Sequence, residues 1–149
     1  IIGVRISPEI ERIGIALDDS IKLCSILTDE GIDFIHLSCW NAFKGSISYR
    51  NNSKTLTEWF ATSLNNPPPI ISTGKVWSHK DAQHLLNQGA DLIGVGRAAI
   101  CHPDWATQVD NLNYDPAKPP FSVTELRKAM LSDVFIDYMR NWEGFVCEK

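Results

Sequence analysis

The sequence predicts an α/β fold with a parallel sheet built from βαβ units, and two observations carry that prediction. Four short apolar runs, ending at Ile6, Ser38, Thr73 and Val95, alternate with amphipathic helical segments at the pitch of βαβ units. Polar groups collect at or just beyond the C-terminal ends of those runs: Arg5, Ser7, Ser38, Gly74, Lys75, Gly96 and Arg97. Four units fit either an open sheet or half of an eight-stranded barrel. The polar edge favours the (β/α)8 barrel, which places its chemistry there.

Each element has its own signal. The first strand, Ile1 to Ile6, is apolar except for Gly3 and Arg5, as expected of a strand covered on both faces. A helix follows, opened by Asp18 or Asp19, with Ile21, Cys24 and Leu27 on one face and Gly31 as its stop. The second strand is Phe34 to Ser38. Trp40 to Lys54 reads as a long polar loop, and Leu56 to Leu64 as a short helix ended by Pro67, Pro68 and Pro69. Ile70 to Thr73 gives the third strand, ended by Gly74. Ser78 and Asp81 resemble a capping box for a helix that carries Ala82, Leu85 and Leu86 and reaches Gly89. Leu92 to Val95 is the fourth strand, followed by Gly96, Arg97 and a short helix. The tail holds two more helical patterns, one capped by Ser122 and Glu125 and one from Ser132 to Trp142. The expected division is βα units over 1–111 and a helical extension over 112–149.

Composition excludes several classes of function. The chain has 149 residues, 44% hydrophobic and 21% charged, which is globular rather than disordered. No apolar run reaches the roughly 20 residues of a membrane span. A net charge of −4, with no basic stripe, argues against nucleic acid as a partner. Cys24, Cys39, Cys101 and Cys147 are scattered without metal-ligand spacing. They read as cytosolic thiols in a cytoplasmic protein that needs no metal. The start, Ile1-Ile2-Gly3-Val4-Arg5, has no Met and no signal-peptide pattern, and it begins inside a strand. A partial sequence is expected.

The chemistry concentrates in two glycine turns and one arginine. Gly74-Lys75 follows the third strand and Gly96-Arg97 follows the fourth. If these are the last two strands of a barrel, their loops form the usual phosphate site of the fold. Glycine lets backbone N–H groups approach an anion, and Arg97 adds a forked cation. Arg5 is a charge inside an apolar strand, costly unless paired or aimed into a site. It either reaches solvent at the strand end or stands at the barrel mouth, where it stabilises the negative charge of a reduced flavin.

Longer stretches carry a resemblance. Val4-Arg5-Ile6-Ser7-Pro8, and then Gly31 to Ser38, look like the fifth and sixth strands of old yellow enzyme-type flavoproteins. Ile71 to Val76, then Gly89 to Arg97 with His102-Pro103-Asp104-Trp105, resemble the seventh and eighth. The resemblance implies the C-terminal half of a TIM barrel, about strands 5–8, and noncovalent FMN. It implies reduction by NADH or NADPH and reoxidation by an electron-poor alkene or related small-molecule acceptor. On this reading Arg5 contacts the flavin ring, and Gly74, Lys75, Gly96 and Arg97 hold its phosphate. The family's proton-donating tyrosine and substrate-binding histidine pair belong to strands expected before Ile1. The partner is then a missing N-terminal half-barrel, and self-association is possible because strand edges are exposed.

His36 reads as a buried structural histidine, and His79, His84 and His102 as helix-surface or turn residues. Tyr49 lies in a loop able to overhang a flavin, and Trp59, Trp105 and Trp142 fit packing positions. Two other readings stay open: a half-barrel module that binds phosphate without redox chemistry, and a different phosphate-binding barrel enzyme.

Overall fold

The computed structural model describes residues 1–147, which form two compact units. The first comprises Ile1–Val76 and Lys80–Val95, and the second Trp77–His79 with the chain from Gly96 onward.

The first unit is a four-stranded parallel sheet with its connecting helices. In chain order it holds β1 (Gly3–Ile6), a 3-10 turn (Glu11–Ile13), α1 (Leu17–Asp29), β2 (Phe34–Ser38), α2 (Leu56–Ser63), β3 (Ile70–Thr73), nearly all of α3 (His79–Asn87) and β4 (Leu92–Gly94). The strands stand in the order β1-β2-β3-β4, each parallel to the next. A sheet that never reverses its order puts every right-handed crossover, and so every connecting helix, on one face. The buried hydroxyl pair Thr57 Oγ1 and Ser72 Oγ, 2.8 Å apart, fixes that face at α2 and β3.

Strand alternation then sorts the side chains. Ile35, Leu37, Ile70 and Ser72 point to the helical side and are essentially inaccessible, together with Leu17, Cys24, Phe60 and Leu85 from the helices. The other face carries Gly3, Arg5, Phe34, His36, Ser38, Ile71, Thr73, Leu92 and Gly94, all exposed or half-buried. This corrects the expectation that β1 is covered on both faces, since its residues alternate between exposed and half-buried. β1 also begins later than expected, at Gly3, although Ile2 still exchanges hydrogen bonds with Asp33. β4 stops at Gly94 rather than Val95.

Local chemistry sets the helix ends. α1 starts at Leu17, ahead of the expected aspartates, which occupy its first turn where their charge suits the helix dipole. It ends at Gly31, whose φ of +84° is natural only to glycine, with Ile32 N–H bonded to Leu27 O. α2 begins with a capping box. Glu58 N–H donates to Thr55 Oγ1 (3.3 Å) and Thr55 N–H donates back to Glu58 Oε2 (2.6 Å).

The second unit holds α4 (Arg97–Cys101), α5 (Trp105–Gln108), β5 (Phe121–Ser122), α6 (Val123–Lys128), α7 (Asp133–Met139) and β6 (Val146–Cys147). Ser122 and Glu125 form the expected capping box on α6. β5 pairs in parallel with β6, and Phe121, Leu126, Ile136, Met139 and Phe145 are buried. Trp105 is buried as expected, its indole N–H donating to Trp77 O at 2.7 Å. Trp142 departs from expectation: α7 ends at Met139, and the indole beyond it is 42% exposed.

Candidate functional site

The uncovered face of the sheet gathers the chemistry of the first unit. Arg5 lies on β1 in register with His36 on β2, with its side chain exposed. Its Nη2 donates to Ser38 Oγ at 2.8 Å. Ser38 is the last residue of β2, so this bond carries the guanidinium toward the C-terminal edge of the sheet. Among the described residues no carboxylate forms an ion pair with Arg5. The positive charge is oriented but not neutralised.

His36 Nε2 and Thr73 Oγ1 are hydrogen-bonded at 2.8 Å. Burial, and then the charge of Arg5, hold the imidazole below its ordinary pKa, so the neutral ring is favoured. His36 is half-buried rather than buried, and it lies on the open face rather than in the core. Gly94 makes the pair possible. A Cβ there would overlap Thr73 Oγ1 and stand 3.3 Å from His36 Nε2. No sequence pattern announces this row, because its members come from three strands.

The turn after β3 is tightly built. Gly74 has φ +150°, and a Cβ would lie 2.5 Å from Cys39 O and 2.9 Å from Ala42 N. Ala42 N–H in turn donates to Gly74 O, so the glycine seats the turn against the loop that follows β2. Lys75 follows at φ +61°, an uncommon conformation for a residue with a side chain, and is exposed. In the second unit, Gly96 precedes α4 with nothing within 4 Å of where its Cβ would stand. Arg97 is the first residue of that helix and is half-buried. Arg5, Gly74 and Lys75 thus belong to the first unit, and Gly96 and Arg97 to the second.

The loop from Trp40 to Lys54 is pinned by acids from the β1–α1 segment. Glu9 accepts hydrogen bonds from Ser46 Oγ (2.8 Å), Ser48 Oγ (3.1 Å) and the amides of Ile47 and Ser48. Tyr49 donates its hydroxyl to Asp18 and stacks on Trp59, with ring centroids 4.9 Å apart. Lys54 Nζ sits 5.1 Å from the centre of the same indole. Hydrogen bonding to Asp18, then desolvation and the Asp18 charge, raise the Tyr49 pKa. The phenol is committed to a carboxylate, a poor arrangement for a proton donor. Glu9 is an anchor of this loop that the sequence does not signal, because its partners lie more than thirty positions away.

The remaining candidates are structural. His79 Nδ1 bonds Val109 O at 2.7 Å, His102 Nε2 bonds Ala117 O at 2.9 Å, and His84 faces the ring of Phe43 at 5.3 Å. The cysteines are unbridged, and burial pushes the thiols of Cys24 up to about 11 and of Cys39 and Cys101 up to about 12. They are unreactive by that measure. Among the described residues no cluster of metal-ligating groups occurs, and no helix is long and apolar enough to cross a membrane.

No family model matches the chain. It is similar to an NADH:fumarate oxidoreductase of Klebsiella pneumoniae (strain 342), 36% identical over 113 residues, covering 73% of this chain and 12% of the relative. It is similar to an NADH:acrylate oxidoreductase of Vibrio harveyi, 33% identical over 115 residues, covering 74% and 12%. A probable NADH-dependent flavin oxidoreductase of Bacillus subtilis (strain 168) is 23% identical over 147 residues, 98% of this chain and 40% of the relative. The chain therefore spans about one-eighth of the first two relatives and two-fifths of the third.

Proposed function

We propose that this chain, similar to NADH-dependent flavin oxidoreductases, is part of an FMN enzyme that passes hydride from NADH to an electron-poor alkene. Fumarate and acrylate, in the names of two relatives, are alkenes conjugated to a carboxylate, whose carbonyl polarises the double bond for hydride addition at the carbon beta to it. The observation that carries the reading is Arg5: a guanidinium oriented by a neutral hydroxyl, without a carboxylate partner among the described residues, on an uncovered sheet face.

The residues present fit the cofactor. The unneutralised charge of Arg5 matches the electron-rich pyrimidine edge of a flavin, and the open space beside Gly96 admits a phosphate close to the backbone. On this reading Arg5 holds the ring, and Gly74, Lys75, Gly96 and Arg97 hold the phosphate. Bound FMN supplies the hydride relay. Arg5 favours the electron-rich state of the site by fixing a cation where negative charge accumulates. His36, kept neutral and tied to Thr73, adds no second charge beside it.

The sheet itself supports the second half of a (β/α)8 barrel. Four parallel strands in unreversed order, with one face open, are what remains when a barrel is cut along its axis. A parallel sheet is ordinarily covered on both sides. In this proposal the open face is the barrel interior, completed by strands of a preceding half.

The test is to purify the full-length gene product that contains this segment. Acid-released FMN, together with anaerobic NADH oxidation driven by fumarate or acrylate, supports the reading. A colourless protein that binds phosphate but not FMN overturns it in favour of a non-redox phosphate-binding module.

A further inference from the structure

We infer that Ser38 is the positioning residue for Arg5, its hydroxyl holding the guanidinium toward the C-terminal edge of the sheet. The inference rests on the flavin reading of Arg5 above. It begins from the cost of order. An exposed arginine side chain has several rotatable bonds and forfeits much of its rotamer freedom when fixed. Arg5 is exposed, on an edge strand, and has no carboxylate partner among the described residues. Its side chain is tied instead by the bond from Nη2 to Ser38 Oγ.

Ser38 is suited to the task by its place. It pairs in register with Thr73 of the neighbouring strand, and the next amide, Cys39 N–H, donates to Thr73 O at 2.9 Å. The hydroxyl is therefore mounted on a hydrogen-bonded ladder rather than on a loop. A serine accepts from the guanidinium without cancelling its charge, whereas an aspartate at the same place would neutralise it. The remaining N–H groups of the fork keep their capacity to meet an electron-rich ligand. The serine's own O–H is likewise still available as a donor. The neighbouring polar pair does not compete, because the His36 ring nitrogen is engaged by Thr73.

The test uses the full-length, FMN-loaded protein and reads the flavin midpoint potential by spectroscopic redox titration. Ser38→Ala and Ser38→Val are expected to lower the potential in the same direction as Arg5→Ala, by a smaller amount. Ser38→Thr, which keeps the hydroxyl, should restore it. The double variant Arg5→Ala/Ser38→Ala should match Arg5→Ala alone, since a residue acting through Arg5 has no effect once Arg5 is gone. If Arg5→Ala lowers the potential and the Ser38 variants do not, the positioning role is overturned while the flavin reading stands. Additive effects in the double variant also overturn it, by showing that Ser38 acts independently. An unchanged potential in Arg5→Ala overturns the flavin-ring reading and this inference with it. Should Ser38→Val fail to fold, the Ala and Thr variants make the same comparison.

Discussion

Tyr49 and Asp18 are joined through a single phenolic hydroxyl, which lies 2.8 Å from both oxygens of the carboxylate. The bond ties the middle of the loop after β2 to the first turn of α1, and Trp59 braces the ring from its face. A loop residue that looked able to overhang a cofactor is thereby turned to a structural purpose. On the proposed reading, Tyr49→Phe is expected to leave alkene reduction by the full-length protein within about twofold and to make the loop more sensitive to limited proteolysis. The folded-state pKa of Tyr49 is raised above its ordinary 10. The stabilisation from this bond is therefore fully present below pH 10 and is lost as pH rises through the raised value. In an ultraviolet titration of the three tyrosines, Tyr49 and the desolvated Tyr114 are both expected to ionise late, and Asp18→Asn should return Tyr49 alone to its ordinary range. Three tyrosines that titrate alike would refute the assignment.

Beneath the sheet, the hydroxyls of Thr57 and Ser72 satisfy each other where no water reaches them. Thr57→Val keeps the shape and strands the serine hydroxyl, at a cost of about 1–3 kcal/mol. Removing both hydroxyls, in Thr57→Val/Ser72→Ala, should cost less than the sum of the single changes. Urea denaturation of the full-length protein measures both, and strict additivity would show that the two groups do not depend on each other.

Across the open face, Gly94 is required by Thr73 rather than by its own backbone. Gly94→Ala drives a methyl into the Thr73 hydroxyl and disturbs its bond to His36. Overpacking of this kind costs about 1–3 kcal/mol. Thr73→Ala in the same chain should recover part of the loss by clearing the space. If the second change recovers nothing, the crowding lies elsewhere.

These particulars show what the sequence discloses and why. β2 and β3 were legible to the residue, because each is a compact apolar run bounded by a turn signal. β1 and β4 are shorter than their apolar runs. Ile1, Ile2 and Val95 are apolar, and an apolar residue beside a strand carries no mark of where the paired ladder ends. The Ser122–Glu125 capping box is legible in the sequence, while the same signature at Thr55 and Glu58 is masked by the polar loop before it. The two-residue pair β5 and β6 is too short for any periodicity. Glu9 with Ser46 and Ser48, and Arg5 with Ser38, join residues more than thirty positions apart, which no local pattern can encode. Gly74 was visible as a turn signal and Gly94 only as one more residue of a strand, and neither pattern discloses its reason. Gly74 makes room for a loop backbone and Gly94 for a threonine.

The 149-residue chain by itself is expected to self-associate. β1 and β4 are both edge strands, and Leu92 on the open face is 54% exposed. Unpaired strand edges beside apolar surface seek partners. Sedimentation velocity over a concentration series should show oligomers or aggregates. A monodisperse monomer with a cooperative melt would count against the half-barrel proposal.

Arg97 offers the sharpest separation between a phosphate contact and a structural turn. On the proposed reading its guanidinium meets the dianionic phosphate of FMN and makes no contact with the flavin ring. Arg97→Ala should therefore weaken FMN binding by about 1.5–3 kcal/mol, the usual worth of a hydrogen bond to a charged group. That corresponds to roughly 10-fold to 150-fold in dissociation constant. Riboflavin has the same ring without the phosphate, so its affinity should stay within about twofold. Arg97→Lys should fall between, because it keeps the charge and loses the planar fork. Fluorescence-quenching titrations of the full-length apoprotein with both flavins distinguish the cases. Equal losses for FMN and riboflavin would mean that Arg97 only supports the turn, since damage to the turn cannot discriminate between ligands that differ by a phosphate alone.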